Sequence, residues 1–158
     1  MIEAQIHKIL FGPDDDIETF ILNQIDLAKS SITMLVFWFT LKPIADRLNK
    51  AAKRGVEVKM ILDSRSTEIK IKDVHPVNET LVPDYLEACK VHIYNGELLH
   101  HKTILIDDDI VLTGTCNFFN ASINRHEENY MLIKSKQLKK QFEQRYKLLL
   151  LKSKEWKK

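Results

Sequence analysis

Two basic side chains separated by one residue are the strongest chemical feature of the chain. His100 and Lys102 fall in an apolar run that predicts a strand over residues 99–106. Residues two apart on a strand point to the same face, so we expect His100 and Lys102 to project together and His101 to point the other way. A following strand that ends in Gly114-Thr115-x-Asn117 would bring a hydroxyl and a carboxamide to the same edge of the sheet.

This set of side chains has what phosphodiester cleavage needs. An imidazole attacks phosphorus, while an ammonium group and neutral donors hold the non-bridging oxygens as negative charge develops in the transition state. A carboxylate fixes the tautomer of the imidazole by accepting a hydrogen bond from its other nitrogen. Mg²⁺ often neutralises the phosphate in such reactions, and here Lys102 and the neutral donors would take its place. We therefore expect metal-independent chemistry with no cofactor.

The spacing of these residues resembles that of the phospholipase D superfamily. The superfamily motif is H-x-K-x4-D-x6-G-[ST]-x-N, and the chain matches each fixed position of it, at His100, Lys102, Asp107, Gly114, Thr115 and Asn117. The resemblance extends to residues 30–40 and 51–63, which are similar to the N-terminal half of the small bacterial endonucleases that carry one copy of the motif. Glu128 lies where that subgroup has a glutamate that orients the nucleophile, and His126 replaces an asparagine that is usual there.

The resemblance implies a role for each matched residue. His100 would form a phosphohistidine intermediate with Glu128 orienting it, and Lys102, Thr115 and Asn117 would bind the substrate phosphate. A second histidine would protonate the leaving oxygen. The chain contains one H-x-K-x4-D motif. By resemblance, two chains therefore pair as a homodimer whose two copies of His100 share one active site.

Some of these residues also have a plain structural interpretation. Asp107 is either a catalytic residue or a turn acceptor that positions backbone. Thr115 and Asn117 are either phosphate ligands or contacts within turns.

Three further aromatic residues have either a ligand-binding or a structural interpretation. His126 is close enough in sequence to Glu128 to reach the same groove, although a surface or packing role is the simpler interpretation. Trp38 and Phe39 are more often core residues than base-stacking platforms.

Charge is distributed unevenly along a chain whose net charge is only +2. Residues 134–158 carry ten Lys or Arg and two Asp or Glu, whereas residues 1–133 carry fourteen and twenty. A basic C-terminal segment fits attraction to nucleic acid or to an anionic membrane, and also an ordinary solvated helix face. The chain has two cysteines, no C-x-x-C pair, no visible signal peptide and no apolar run long enough for a bilayer, which predicts a cytoplasmic protein without a stable membrane anchor.

Hydrophobic periodicity predicts a single catalytic domain over residues 1–158, of the α/β class. The expected architecture is a mixed, largely parallel β-sheet flanked by helices on both faces. Helices are predicted at 17–28, 43–54, 82–89 and 137–151, and strands at 32–39, 56–62, 91–94, 99–106, 110–114 and 129–134. The strand–helix–strand order of residues 32–62 indicates a parallel pair with a right-handed crossover. Residues 63–80 are polar and irregular, which predicts a loop.

Three functions fit this combination of motif and charge. The first is a nuclease acting on DNA or RNA with little sequence specificity, favoured by the single motif, the small size and the basic C-terminal segment. The alternative is a phospholipid phosphodiesterase of the cardiolipin type, which uses the same chemistry and is recruited by the same positive charge. The third is a catalytically idle binding module, which the intact motif disfavours.

Overall fold

The structure is a computed structural model that describes residues 1–72 and 79–157. Its helices are α1 (Ile17–Leu27), α2 (Lys42–Lys53), α3 (Val82–Tyr85), α4 (Asn120–Arg125) and α5 (Lys136–Leu150). Its strands are β1 (Gln5–Gly12), β2 (Ser31–Val36), β3 (Glu57–Asp63), β4 (Lys70–Lys72), β5 (Glu79–Leu81), β6 (Lys90–Tyr94), β7 (Lys102–Ile106), β8 (Ile110–Gly114), β9 (Glu128–Lys134) and β10 (Ser153–Glu155). Within the described residues, no helix is both long enough and apolar enough to cross a bilayer.

Eight strands form one mixed sheet in the order β1-β9-β8-β7-β2-β3-β6-β10, and β4 pairs with β5 in a separate ladder. The predicted parallel unit is present, because β2 runs parallel to β3, and β3 also runs parallel to β6. The other neighbouring pairs of the large sheet are antiparallel. The mixed α/β class is therefore confirmed, but the expected predominance of parallel pairs is corrected. The turn at residues 107–109 joins β7 to β8, and strands joined by so short a turn must be antiparallel.

Different helices cover the two faces of the sheet. On one face α1 and α2 enclose the main core, whose members on β2 and β3 include Met34, Val36, Met60 and Leu62. On the opposite face α5 packs on Leu35 and Ile61 through Tyr146. Successive residues of a strand point to opposite faces, and β2 and β3 are therefore apolar on both sides. The expected helices on both faces are confirmed.

The ends of the two central helices follow local chemistry. Asp16 caps α1 by accepting a hydrogen bond of 2.9 Å from the backbone N–H of Thr19, and this bond lowers the pKa of Asp16. Pro43 lies in the first turn of α2, where its missing N–H leaves no helical bond unmade. Gly55 follows α2 with a φ of +94°, a conformation that favours glycine.

Outside the predicted loop, three of the described elements were not predicted from the sequence, namely β1, α4 and β10. β1 lies at the edge of the sheet, and most of its side chains are exposed, so it carries little of the burial pattern that marks a strand. The expected loop over residues 63–80 is partly structured. Its described part contains a 3₁₀ helix at Ser64–Thr67 and the β4–β5 ladder, while residues 73–78 lie outside the described part.

The predicted site residues lie at one end of the strands of the large sheet. β2, β3 and β8 finish at this end of the sheet, and β7 and β9 begin there. The segment after β2 passes along it, and Phe39 is fully buried in the core as predicted, whereas Trp38 is only half-buried.

Candidate active site

His100 and Lys102 meet on one aromatic ring, that of Phe37. The ring centroid of His100 lies 4.9 Å from that of Phe37, and Lys102 Nζ lies 5.4 Å from the same centroid. Lys102 Nζ also donates a hydrogen bond of 2.8 Å to the backbone oxygen of His100. His100 is exposed and precedes β7, which begins later than predicted, whereas Lys102 is only 7% exposed. The structure thus brings the two predicted residues together.

The ammonium group of Lys102 is buried close to a carboxylate. Burial lowers the pKa of Lys102 below its ordinary value of 10.5, and the negative charge of Glu128 opposes that shift. The thiol of Cys116 lies near both groups, and burial, reinforced by the charge of Glu128, raises its pKa to about 12. Cys116 is therefore neutral at ordinary pH and is no candidate nucleophile. Lys102 supplies a positive charge where few waters screen it.

Two hydroxyl groups hold the carboxylate of Glu128. Thr115 Oγ1 donates to Glu128 Oε2 at 2.5 Å, and Ser122 Oγ donates to Glu128 Oε1 at 2.7 Å. Thr115 Oγ1 also accepts a hydrogen bond of 3.0 Å from the backbone N–H of Asn129. No hydrogen bond joins Glu128 to His100 within the described part of one chain. Glu128 is thus a rigidly placed acceptor at the site, and Ser122 is a supporting residue that the sequence analysis missed.

Asn117 presents a polar atom that lacks a partner. Its Oδ1 is buried without a hydrogen bond within the described structure, although its backbone N–H donates to Ser122 Oγ at 2.9 Å. A buried polar atom of this kind normally finds a donor, which here can be a water molecule or a ligand. Asn117 therefore lies ready to contact a bound molecule.

The glycine of the motif allows β8 and β9 to approach each other closely. A Cβ atom on Gly114 would lie 2.1 Å from the backbone oxygen of Asn129 and 2.8 Å from the Cα of Tyr130. Neither backbone atom can move without breaking the ladder, so only glycine fits. This approach puts Thr115 within reach of Glu128.

Asp107 lies at the other end of β7 from His100 and Lys102. Its carboxylate accepts hydrogen bonds from the backbone N–H groups of residues 29, 30 and 31 and from the hydroxyl of Ser30, at 2.8 to 3.1 Å. Burial raises the pKa of Asp107, but these hydrogen bonds outweigh it and hold the pKa below its usual value. The structure therefore does not bring Asp107 together with His100 and Lys102, and its contacts favour the positioning interpretation over the catalytic one. Asp107 joins the β7–β8 turn to the start of β2, and its φ of +49° fits a turn residue.

A second group of residues that the sequence analysis missed lies at the end of β3. Asp63 is 1% exposed, and its carboxylate accepts from the backbone N–H of Leu99 at 2.9 Å and from Arg65 Nη1 at 2.8 Å. The guanidinium of Arg65 lies 5.9 Å from the centroid of Phe37, on the ring that also contacts His100. Nothing in the spacing of Asp63 and Arg65 relative to the motif signals this proximity.

His101 lies beside α5. With Arg145 and Leu149 of α5 it lines a cavity of about 350 Å³ that also reaches His100. Burial lowers the pKa of His101, and the nearby positive charge of Arg145 lowers it further. The cavity brings a cation of the basic C-terminal helix close to the site.

Comparison with known proteins decides the family. The family model described as cardiolipin synthase, PLD-like domain, matches residues 21–150. The chain belongs to the phospholipase D superfamily. The resemblance expected from the sequence is thereby confirmed.

Relatives and solved structures agree with this membership. The chain is 31% identical over 136 residues to a protein named phospholipase D from Rickettsia conorii, an alignment that spans 86% of this chain and 65% of that relative. It thus covers slightly less than two thirds of the relative's length. The crystal structure of Nuc from Salmonella typhimurium, described as a phospholipase D family member, superposes with a TM-score of 0.83 at 25% identity over 99% of this chain and all of that chain. NucT from Helicobacter pylori gives a TM-score of 0.79 at 20% identity over 98% and 100%.

A metal site needs several liganding side chains close together. Throughout residues 1–72 and 79–157, no three His, Cys, Asp or Glu side chains are grouped so that they could hold a metal ion.

Proposed function

We propose that the chain is a single catalytic domain that hydrolyses phosphodiester bonds of nucleic acid. The observation that carries the proposal is the grouping of an exposed imidazole, a buried ammonium and a side-chain amide at one end of the strands, at His100, Lys102 and Asn117. A phosphate group seated there would meet the positive charge of Lys102 and the side-chain N–H donors of Asn117. Thr115 would bind it once its single hydroxyl proton turned from Glu128 to the phosphate.

The proposed reaction has two displacement steps. In the first, an imidazole nitrogen of His100 bonds to phosphorus, the bond from phosphorus to the leaving oxygen breaks, and an imidazolium gives that oxygen its proton. In the second, the resulting neutral imidazole takes a proton from water, the water oxygen bonds to phosphorus, and the phosphorus–nitrogen bond breaks. In this proposal Glu128 is the acceptor that fixes the tautomer of a His100 imidazole.

The acid in the first step requires a second imidazole. The described part of the chain offers His101 beside α5 and His126 beyond Phe119, and neither occupies the histidine position of the motif. We therefore propose a two-fold homodimer in which His100 of the partner subunit donates the proton. The exposure of His100 in one chain supports this arrangement, because the side chain is open to a facing molecule.

Nucleic acid is the proposed substrate because of both charge and size. Exposed basic residues lie along α5 at Lys136, Lys140, Arg145 and Lys147. Lys139 of the same helix is buried and pairs with Glu143. The chain also matches Nuc and NucT over their whole lengths. Phosphate contacts of this type attract any nucleic acid and read no sequence, so little base specificity is expected.

A phospholipid phosphodiesterase of the cardiolipin type is the alternative. It is favoured by the description of the matching family model and by the name of the Rickettsia relative. The edge strand β1 also exposes Ile6, Ile9 and Phe11. The two proposals share the chemistry and differ in what the surface around the site binds.

One assay separates these proposals. Purified protein is incubated in excess EDTA with single-stranded DNA, duplex DNA, RNA and vesicles that contain cardiolipin, beside the variants His100→Ala and His101→Ala. We expect cleavage of nucleic acid that His100→Ala abolishes and His101→Ala largely retains. Hydrolysis of cardiolipin alone would support the alternative. Loss of all activity in EDTA, restored by Mg²⁺, would contradict the metal-independent mechanism.

A further inference from the structure

A row of aromatic rings leads away from the candidate active site. Phe37, Trp38, Phe119 and His126 form this aromatic strip, with neighbouring ring centroids 5.8, 6.4 and 6.1 Å apart. The first three rings are half-buried and His126 is exposed. The strip is assembled from the segment after β2 and from the two ends of α4.

The strip begins at the groups that would hold the scissile phosphate. Phe37 contacts His100, and Lys102 Nζ lies 5.4 Å from the Phe37 centroid. At this same end, the guanidinium of Arg65 lies 5.9 Å from that centroid and is held in place by Asp63. A molecule that reaches Lys102 and continues along the strip therefore meets a cation first and several ring faces next.

Packing of the core does not require the half-buried rings of Trp38 and Phe119. Phe39 and Phe118 are fully buried and pack edge to face at 6.0 Å, with an isolated bridge joining their backbones. Their sequence neighbours Trp38 and Phe119 are half-buried and contact each other instead. One member of each pair thus fills the apolar core, and the other member stays partly exposed beside the site.

We propose that the aromatic strip stacks unpaired bases, so that the substrate is single-stranded nucleic acid. This inference rests on the proposed nuclease function and names its substrate class. A positively charged groove lined with aromatic rings is how proteins bind single strands, since each base offers a flat face for stacking. Bases in a duplex are already stacked and paired, and their faces are closed to the strip. Arg65 then contacts a phosphate that neighbours the scissile one.

Fluorescence of Trp38 tests the contact without using activity. The chain has two tryptophans, and Trp156→Phe leaves Trp38 as the single emitter. His100→Ala in the same protein prevents cleavage during the titration. We expect a single-stranded oligonucleotide to quench Trp38, and both an abasic oligonucleotide of equal length and a duplex to quench it far less. Equal quenching by all three, or quenching only by anionic vesicles that contain cardiolipin, would overturn the proposal.

A kinetic comparison tests the effect on the reaction. Phe119→Ala should raise KM for a single-stranded oligonucleotide about tenfold or more, the scale expected for one lost stacking contact. It should leave KM for an abasic oligonucleotide of equal length, which has no base to stack, nearly unchanged. Phe20→Leu, a half-buried aromatic substitution on α1, is the matched control for general loss of packing and should leave both unchanged.

Different results would contradict the stacking proposal and the nuclease function on which it rests. Cleavage of nucleic acid at equal rates in single and double strands, with KM unaffected by Phe119→Ala, would overturn the stacking proposal and leave the nuclease function standing. Hydrolysis of bis-p-nitrophenyl phosphate without cleavage of any nucleic acid would overturn both.

Discussion

Asp63 Oδ2 accepts a hydrogen bond of 2.9 Å from the backbone N–H of Leu99, the residue that precedes His100. The other oxygen accepts from the backbone N–H and from Nη1 of Arg65. One buried carboxylate at the end of β3 therefore fixes both the backbone beside the proposed nucleophile and a cation at the mouth of the site. This is a positioning role, because Asp63 reaches the reaction only through other residues.

Removing the carboxylate of Asp63 should lower both stability and turnover. Asp63→Ala leaves the N–H of Leu99 buried and unpaired, which costs about 1–3 kcal/mol in the free energy of unfolding. A displaced His100 should reduce kcat about 10- to 100-fold, since an error near 1 Å has that scale of effect. Asp63→Asn keeps an acceptor for Leu99 and should retain more activity. Urea unfolding and steady-state kinetics measure the two effects, and equal kcat for Ala and wild type would contradict the role.

Loss of the nucleophile should be more damaging than loss of its proposed orienting carboxylate. His100→Ala should lower kcat by several orders of magnitude, and Glu128→Gln by roughly 10²- to 10⁴-fold, as for other orienting carboxylates. Single-turnover assays should also trap a phosphorylated protein in wild type and none in His100→Ala. If His101→Ala were the lethal change instead, the assignment of the nucleophile would be wrong.

Lys102 should lower the stability of the protein while serving its reaction. Its pKa is lowered by burial, so the folded state holds the proton less tightly than the unfolded state does. The resulting penalty is complete below the folded-state pKa and shrinks as the pH rises towards 10.5. Lys102→Met should therefore be inactive yet more stable than wild type at neutral pH, with the difference narrowing in alkali. Thermal unfolding across pH measures this difference, and a less stable Met variant at neutral pH would count against it.

Asp107 should matter for stability and hardly at all for chemistry. Its folded-state pKa is held below the usual 3.8, so the stabilisation is present above that pH and is lost as the pH falls through the folded value. Asp107→Asn tolerates the positive φ and should cost about 1–3 kcal/mol at neutral pH through weaker acceptance from three N–H groups. Asp107→Ala adds backbone strain and should cost more. A large fall in kcat for a folded Asp107→Asn protein would restore a catalytic role.

The proposed homodimer predicts a dominant-negative variant. If each active site needs His100 from both chains, a mixed dimer of wild type and His100→Ala has one imidazole and should be nearly inactive. Adding excess mutant under conditions of subunit exchange should then suppress wild-type activity well below simple dilution. Sedimentation at assay concentrations supplies the control for assembly. A fully active monomer, or a mixed dimer that keeps half the wild-type rate, would rule out the shared site.

The sequence predicted the part of the site that depends on local spacing. His100 and Lys102 are two residues apart on or beside one strand, and the period of a strand puts them on the same side. The contacts of Asp63 with Leu99, and of Asp107 with the start of β2, join residues 36 and about 76 positions apart. Such contacts depend on strand order, which spacing within a motif does not encode.

The fold was predictable where burial leaves a pattern and not elsewhere. β2 and β3 carry runs of apolar residues and α2 carries an amphipathic period, so all three lie within a few residues of their predicted bounds. β1 and β10 lie at the two edges of the sheet and owe their conformation to pairing, and the six-residue α4 is too short to show a helical period. The residue type of Trp38 predicts a core position. Because the neighbouring Phe39 is the residue buried in the core, Trp38 is instead half-buried beside the site.

The pairing of β1 with β9 sets an order for assembly during synthesis. β1 is made first among the strands, yet its partner lies more than 100 residues later, and the ladder ends with Gly12 opposite Glu128. Contacts so distant along the chain form late, because a long loop must close before they gain any energy. The carboxylate of the site is carried on that same late strand. A chain still on the ribosome therefore has no assembled site until residues 128–134 have emerged and paired, so the proposed chemistry would have to wait for β9.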